Sequence, residues 1–599
     1  MKWSKSSRTL RRIFTKSSIG QNPTSKGKWG TSLTSHRNKL GTSRVISTEL
    51  SPSSRRFTRR MPFHHNKSKK EPNGILHRSQ AYVAFIDETF KGTKRVPRFM
   101  DDNNIVKGRE AQRWIVDTAL EMADAVRHTL GPKGMDMMLV DRMGNKVLTN
   151  DGATILKSLE TKDPVASIIA EVAKSQEQNA FDGTTTCIVI MGELLRRADE
   201  LISRGVHPNA IIKGYRMGLS QAIAWSEEIS EEKEAYEAGV EAAKTAITGK
   251  SAEDFVDILS DICSRAAMVS SPSEMMLLTV HGKPEDAELI EGLVVLKGPA
   301  TAGMPTKAAG NIALIESEMA PPQAQVSLTD PDQIKEIVAI QQAFLDEIVA
   351  RLVKAEVKVV FCQKNIDSKM LQLLRKNDIL AFRNVRRNDI LKMVHALGGQ
   401  LIADFADFSK SDMSAATVEV VESAVNDYVV VRGDGIKAAS IVMPAPTEQS
   451  GEEFQRALED AVGVSYLAVQ NKKMVKGAGT IQAQMSYRLL SGEGCATADN
   501  SKVEAARRAF AEALLIIPQT LAESAGMDLM DVTVKLGNSP GLGVNVHDMV
   551  LEEMNVFEPL AVVQSAMSGA VENGVSLLRT HSIIMAKPIQ EIFAEAERR

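Results

Sequence analysis

Three short stretches decide how this chain is read: Thr129–Asp136, TLGPKGMD; Thr149–Leu156, TNDGATIL; and Asp182–Thr186, DGTTT. Pro and Gly in Gly131-Pro132-Lys133-Gly134 stop a helix and leave backbone N–H groups free to meet an anion, and Lys133 adds positive charge. Asp182 precedes a helix whose first turn carries Thr184, Thr185 and Thr186. Such a helix start favours an anion, and the carboxylate can hold Mg²⁺ between protein and phosphate. Asp151 sits in a second Gly-adjacent turn, where a carboxylate is exposed and can orient water. Each stretch alone is an ordinary turn or helix cap. Neither the Walker A spacing GxxxxGK[ST] nor GxGxxG occurs here, which disfavours a P-loop ATPase.

The flanking sequence has clear periodicity. Before the first stretch, Trp114, Ile115, Ala119, Met122, Ala123, Val126 and Leu130 recur at three- and four-residue steps from Gly108 onward, predicting a long amphipathic helix. Met137–Thr149 reads as two short strands around a Gly144-Asn145 turn. A helix is predicted from about Pro164 to Asn179, and another follows the threonines through Cys187–Ile202. In the middle of the chain, Thr329-Asp330-Pro331 is a strong helix start, followed by apolar residues at helical spacing from Ile334 to Leu352. Lys358–Phe361, Ser368–Lys376 and Ile379–Phe382 then read as strand, helix and strand, a βαβ unit.

With 599 residues, 43% hydrophobic and 25% charged, the chain is globular and long enough for three or four domains. No run of about 18 apolar residues occurs, so no membrane-spanning helix and no membrane partner are expected. Cys187, Cys263, Cys362 and Cys495 have no CxxC spacing, which argues against a disulfide scaffold or zinc ribbon and for a reducing compartment. The net charge of −2 hides an asymmetry. Residues 1–100 hold 23 Lys and Arg against 4 Asp and Glu, whereas the remainder is strongly acidic. This Ser- and Arg-rich tail has no sustained apolar period and is expected to be disordered. It is open to reading as a transit peptide, as a charge-driven nucleic-acid contact, or as an unstructured extension before Met100.

The order and spacing of TLGPKGMD, TNDGATIL and DGTTT resemble the chaperonin family. TAITGK at Thr245–Lys250 narrows the resemblance to the group II type, closest to archaeal thermosome subunits. EGLVVLKG (Glu291–Gly298), VVFCQKNID (Val359–Asp367), RALEDAV (Arg456–Val462), LAESAGMD (Leu521–Asp528) and GVSLLR (Gly574–Arg579) are similar too, so that it spans about residues 104–588. It implies an α+β multidomain fold. A mostly helical equatorial ATPase domain would take residues 104–233 and 477–592, and a small α/β intermediate domain 234–289 and 441–476. An α/β apical domain with a helical protrusion would take 290–440, with a basic extension at 1–103 and a tail at 593–599. The protrusion tip would lie near Ser317–Val338.

The resemblance also implies a site for ATP and Mg²⁺. Leu130, Gly131, Pro132, Lys133 and Gly134 would wrap the phosphates. Asp182 would bind the metal, with Gly152, Gly183, Thr184, Thr185 and Thr186 around the phosphate oxygens. Asp151 and Asp460 would position and activate water, and Lys250 would sense the γ-phosphate. Gly477, Ala478 and Gly479 would lie near the ribose, and Asn545 and Glu553 near the adenosine. Expected partners are unfolded client proteins and identical or homologous subunits in a cytoplasmic double ring; nucleic acid is not expected. The implied activity is ATP-driven folding of enclosed clients, the alternative being a structural or regulatory ring subunit with weak or no ATPase.

The chain departs from the family pattern at several points. Phe181 stands where the family has Gly before the metal-binding Asp, and Ala478 replaces the middle of three glycines. Met443-Pro444-Ala445-Pro446 replaces Arg-Gly-Gly, and Leu578-Arg579-Thr580-His581-Ser582 replaces LRIDD. A charged helix is expected at Ile589–Arg599 in place of a Gly/Met tail.

Overall fold

The computed structural model describes residues 105–584, apart from 141–143, 145, 160–162, 322–330, 404–409, 411–412, 424–425, 434–435, 437, 493, 496–497 and 499. The expectations for residues 1–103, for most of the protrusion tip with its Thr329-Asp330 cap, and for 589–599 lie outside the described residues. Helix and sheet are mixed throughout, as expected.

Helices from both ends of the chain build one core. Arg109–Arg127 buries Ala111, Ile115, Ala119, Met122, Ala123 and Val126, close to the predicted apolar stripe, while Trp114 and Leu130 are partly buried beside it. Pro164–Ala180 starts as its sequence dictates: Asp163 caps it by accepting from the N–H groups of Val165 and Ala166, and Pro164 opens the first turn. The Asp163 carboxylate also accepts from Trp114 Nε1 at 2.6 Å, which ties this helix to the first. Thr184–Ser203 runs through the centre of this core, and Pro208–Glu228 packs against Ser501–Leu514 from the far end of the chain. That approach depends on small residues. A Cβ at Gly214 would fall 2.5 Å from Ala506 Cβ, and one at Gly218 would fall 2.4 Å from Phe510 Cδ1. Leu560–Arg579 completes the layer, and the strand Ser582–Ile584 pairs antiparallel with Ile105–Lys107, joining the two ends of the described chain.

A second core is alanine-rich. Ala238, Ala242, Ala243 and Ala246 on Ala235–Ile247 meet Ala457, Leu458 and Ala461 on Glu448–Asn471, with Val256–Val269 alongside. Small side chains let the helix axes come close.

The third core is a seven-stranded mixed sheet. The predicted βαβ unit forms as Val357–Cys362, Ser368–Lys376 and Leu380–Phe382, with Leu380 opposite Val359 in a parallel pair. Phe361 and Phe382 stack with centroids 4.7 Å apart. Lys307–Ile315 continues the parallel part, and Ser414–Val421, Tyr428–Arg432 and Leu293–Val295 add antiparallel strands. Among the described residues no helix is long and apolar enough to cross a membrane.

Candidate functional site

A cavity of about 700 Å³ opens between the end-to-end helical core and the alanine-rich core. Segments far apart in sequence line it, several of them delivered by breaks in regular structure and others, such as Asp460, by the faces of helices.

The Gly131 turn follows the first helix. Gly131 has φ 83°, and the Gly134 N–H closes the turn on the Gly131 carbonyl at 2.8 Å. Gly134 tolerates no side chain, since a Cβ there would sit 2.3 Å from the Thr129 carbonyl oxygen. The Asp151 turn comes next, and its carboxylate caps the helix Gly152–Ser158 by accepting from the N–H groups of Ala153 and Thr154. A Cβ on Gly152 would fall 2.6 Å from Thr185 Oγ1, so this turn lies directly on the threonine-rich helix start.

Asp182 is held from several sides. Its Oδ1 accepts from Gly183 N–H at 2.7 Å, and its carbonyl accepts from Gln176 Nε2 at 2.9 Å. Gln176 in turn accepts from Ser565 Oγ at 2.8 Å. Gly183 is left-handed, and no side chain caps the helix beginning at Thr184. Gly479, with φ 79°, starts the helix Thr480–Ser491 and also offers no side-chain cap. Gly479 and the Thr184–Thr186 turn both line the cavity, giving it two uncapped helix starts. The free N–H groups and the dipole of such ends favour an anion.

Lys250 and Asp460 come from the alanine-rich layer. Lys250 Nζ donates to Asp460 Oδ2 at 2.5 Å. Asn150 Nδ2 donates to the Gly249 carbonyl at 2.7 Å, which joins the Asp151 turn to the lysine loop. A Cβ on Gly249 would fall 2.9 Å from the Gly131 carbonyl oxygen, so the lysine loop rests on the phosphate-type turn.

The cavity is electrostatically crowded. Burial raises the Asp460 carboxyl well above the carboxylate range; Asp151 and Asp182 add to the shift and Lys250 opposes it. Burial works against the Lys250 charge, yet Asp460, Asp182 and Asp151 outweigh it and hold the amine above its ordinary value. Burial, reinforced by Asp182, pushes Glu558 up to about 7. Glu177 is raised by burial and by Asp151. Acids outnumbering cations call for a bound cation, while the helix starts call for an anion.

The structure gathers most of the sequence-predicted residues at this cavity. Leu130, Gly131, Pro132, Asp151, Gly152, Asp182, Gly183, Thr184, Thr185, Thr186, Lys250, Asp460, Ala478, Gly479 and Asn545 line it. Lys133, Gly134, Gly477 and Glu553 are not among its lining residues. Gly477 backs onto Glu558 instead, and Glu553 is exposed and ion-paired with Lys476. Sequence reasoning missed Glu177, Asn150, Gly249 and Glu558. The one signal available for Glu558 was its place before Pro559 and a long helix.

Phe181 ends Pro164–Ala180 in the left-handed region at φ 61°. Its ring is directed onto Gly463 of the Glu448–Asn471 helix, where a Cβ would fall 2.2 Å from Phe181 Cγ. The departure at 181 is thus met by a glycine on the facing helix.

These residues suit a magnesium nucleotide. Gln482 Oε1, on the cavity wall, is buried without a partner, and the uncapped helix starts offer anion donors. Among the described residues no group of three or more His, Cys, Asp or Glu forms a metal cage. A cation here would take one or two carboxylates from the protein and its other ligands from phosphate and water.

The model of the TCP-1/cpn60 chaperonin family matches residues 122–588. "Thermosome subunit beta" of Archaeoglobus fulgidus is 37% identical over 513 residues, covering 81% of this chain and 93% of the relative. "Thermosome subunit" of Methanopyrus kandleri is 36% identical over 512 residues, covering 81% and 93%. "Thermosome subunit" of Methanocaldococcus jannaschii is 36% identical over 510 residues, covering 81% and 94%. The chain therefore belongs to the TCP-1/cpn60 chaperonin family, as a group II chaperonin subunit.

Proposed function

We propose that this chain is an ATP-hydrolysing chaperonin subunit that encloses unfolded proteins in a cytoplasmic double ring of identical or homologous subunits. In this reading residues 104–233 and 477–592 bind the nucleotide, 234–289 and 441–476 relay its state, and 290–440 handle the client and carry the lid. One observation carries the proposal. The Lys250–Asp460 pair, from the middle of the chain, shares a cavity with the Gly131, Asp151 and Asp182 turns and with Gly479.

Bound Mg-ATP would supply the phosphoryl group and the divalent charge. The chain's own groups hold and orient. Backbone N–H groups at Thr184–Thr186 and Gly479 receive phosphate oxygens, and Asp182 offers a carboxylate to the metal. Asp151 and Asp460 present carboxylate oxygens to water, and Lys250 holds its proton between Asp460 and the phosphate end. Phosphoryl transfer needs placed charge more than covalent chemistry, and this cavity concentrates charge. A structural or regulatory ring subunit with weak or no ATPase is a second reading, favoured by Phe181 and Ala478, non-glycine residues held at φ 61° and 54° beside the cavity.

The test is a pair of substitutions in the assembled protein. Asp182→Ala is expected to abolish Mg²⁺-dependent nucleotide binding in calorimetry. Asp460→Ala is expected to keep binding and lose about 10²- to 10⁴-fold in turnover. Turnover by Asp460→Ala at the parent's rate would overturn the assigned role, and a parent without turnover would leave the second reading.

A further inference from the structure

Phe181 occupies a position the backbone makes costly. Its φ of 61° lies in the left-handed region, where a side chain is strained and glycine is the ordinary solution. The ring nevertheless has a fitted partner. On the facing helix Gly463 has no side chain, and a Cβ there would fall 2.2 Å from Phe181 Cγ, 2.4 Å from Cδ1 and 2.6 Å from Cβ. The knob on one segment therefore fills the hole on the other.

The two partners are next to the chemistry. Phe181 immediately precedes Asp182, whose loop is also tied down by Gln176, itself bonded to Ser565. Gly463 lies one helical turn beyond Asp460, so a displacement at Gly463 is carried to Asp460 almost undiminished. Asp460 in turn grips Lys250. Phe181 also packs against the alanine-rich core that supplies this helix, while the following residues start the helix of the end-to-end core. Its ring stands on the wall shared by the cavity and the larger crevice beside it, together with Glu177 and Asp460.

We propose that Phe181 and Gly463 form a knob-and-hole joint that sets the reach of Asp460 toward Asp182, making Phe181 a positioning residue for water activation. The inference rests on the ATP-hydrolysing reading above. The joint touches the reacting end through Asp460 and leaves the Gly479 and Asn545 side of the cavity alone. It therefore acts on turnover and not on nucleotide affinity.

Steady-state ATP hydrolysis by the assembled full chain separates the outcomes. Phe181→Gly is expected to lower kcat tenfold or more with KM for ATP within twofold, since a shift near 1 Å at a reacting group is enough for such a loss. Phe181→Leu, which restores an apolar knob, is expected to recover at least half of the parent kcat. Gly463→Ala forces the helices apart and is expected to lower kcat by a similar factor. Adding Phe181→Gly to it removes the clash, so the double variant is expected to lose no more kcat than Phe181→Gly alone, rather than the product of the two losses. If Gly463→Ala does not fold, the comparison of the Gly and Leu variants at 181 decides alone. An unchanged or higher kcat in Phe181→Gly, or a Leu variant no better than Gly, overturns the joint while the ATPase reading stands. A parent that hydrolyses no ATP overturns both.

Discussion

Asp460 and Glu558 are two carboxylates raised by burial in one cavity, and their partners set them apart. Asp460 has Lys250 at 2.5 Å, which favours its ionised form without cancelling the rise caused by burial, so it accepts a proton from water once ionised. Because that form is the useful one, turnover is expected to fall as pH drops through its raised pKa. Glu558 has no such cation, and Asp182 adds repulsion to its desolvation. Its folded pKa of about 7 exceeds the ordinary 4.5, so the folded state disfavours ionisation. The resulting penalty is absent below the unfolded value, grows as pH rises between the two, and is complete above about 7. Glu558→Gln is therefore expected to raise Tm at pH 8 and leave it unchanged at pH 4.5 in thermal melts without nucleotide. Equal shifts at both pH values would contradict the assigned surroundings.

At the scale of elements, the cavity is a meeting of loops held by close backbone contact. The lysine loop rests on the Gly131 turn through Gly249, whose φ is 82°. Gly249→Ala adds left-handed strain of roughly 1–2 kcal/mol and puts a Cβ 2.9 Å from the Gly131 carbonyl oxygen. Nucleotide affinity is expected to weaken about tenfold by calorimetry, with Tm little altered. An unchanged affinity would mean that the two loops move independently. Much of this architecture was legible in sequence wherever period and punctuation agree. Ser368–Lys376 forms at its predicted bounds because Asp367 caps it and its apolar residues keep one face. Lys250 and Asp460 carry no such local signal, and only the family resemblance singled them out. The choice between Glu553 and Glu558 was not legible either. Phe557–Pro559 pairs with Lys473–Lys476, and that register sets Glu558 toward the cavity and behind Gly477, while Glu553 stays outside with Lys476. Pairing between strands so distant in sequence leaves no mark in a local pattern. Gly463 likewise carries no local signal, because only the fold sets Phe181 against it.

At the scale of the whole molecule, the described fold begins with the strand Ile105–Lys107, paired to Ser582–Ile584. Deleting residues 1–99 is expected to leave Tm and nucleotide affinity unchanged, and a large drop in Tm would show that the basic segment packs on the body. Apolar side chains remain exposed at Met135, Met138 and Val140 near the first hairpin and at Ile584 on the closing strand. Exposed apolar groups of this kind suit burial between subunits, and light scattering is expected to give a mass many times that of one chain. The central claim is that ATP hydrolysis in the Asp182–Asp460 cavity drives folding of enclosed proteins. The direct measurement is recovery of activity from a chemically denatured enzyme added to the assembled protein with Mg-ATP, parent beside Asp460→Ala. The parent is expected to raise recovery above the spontaneous yield only when ATP is present, and Asp460→Ala to hold the client without that gain. Equal recovery with and without ATP, or equal recovery by the two proteins, would contradict the claim.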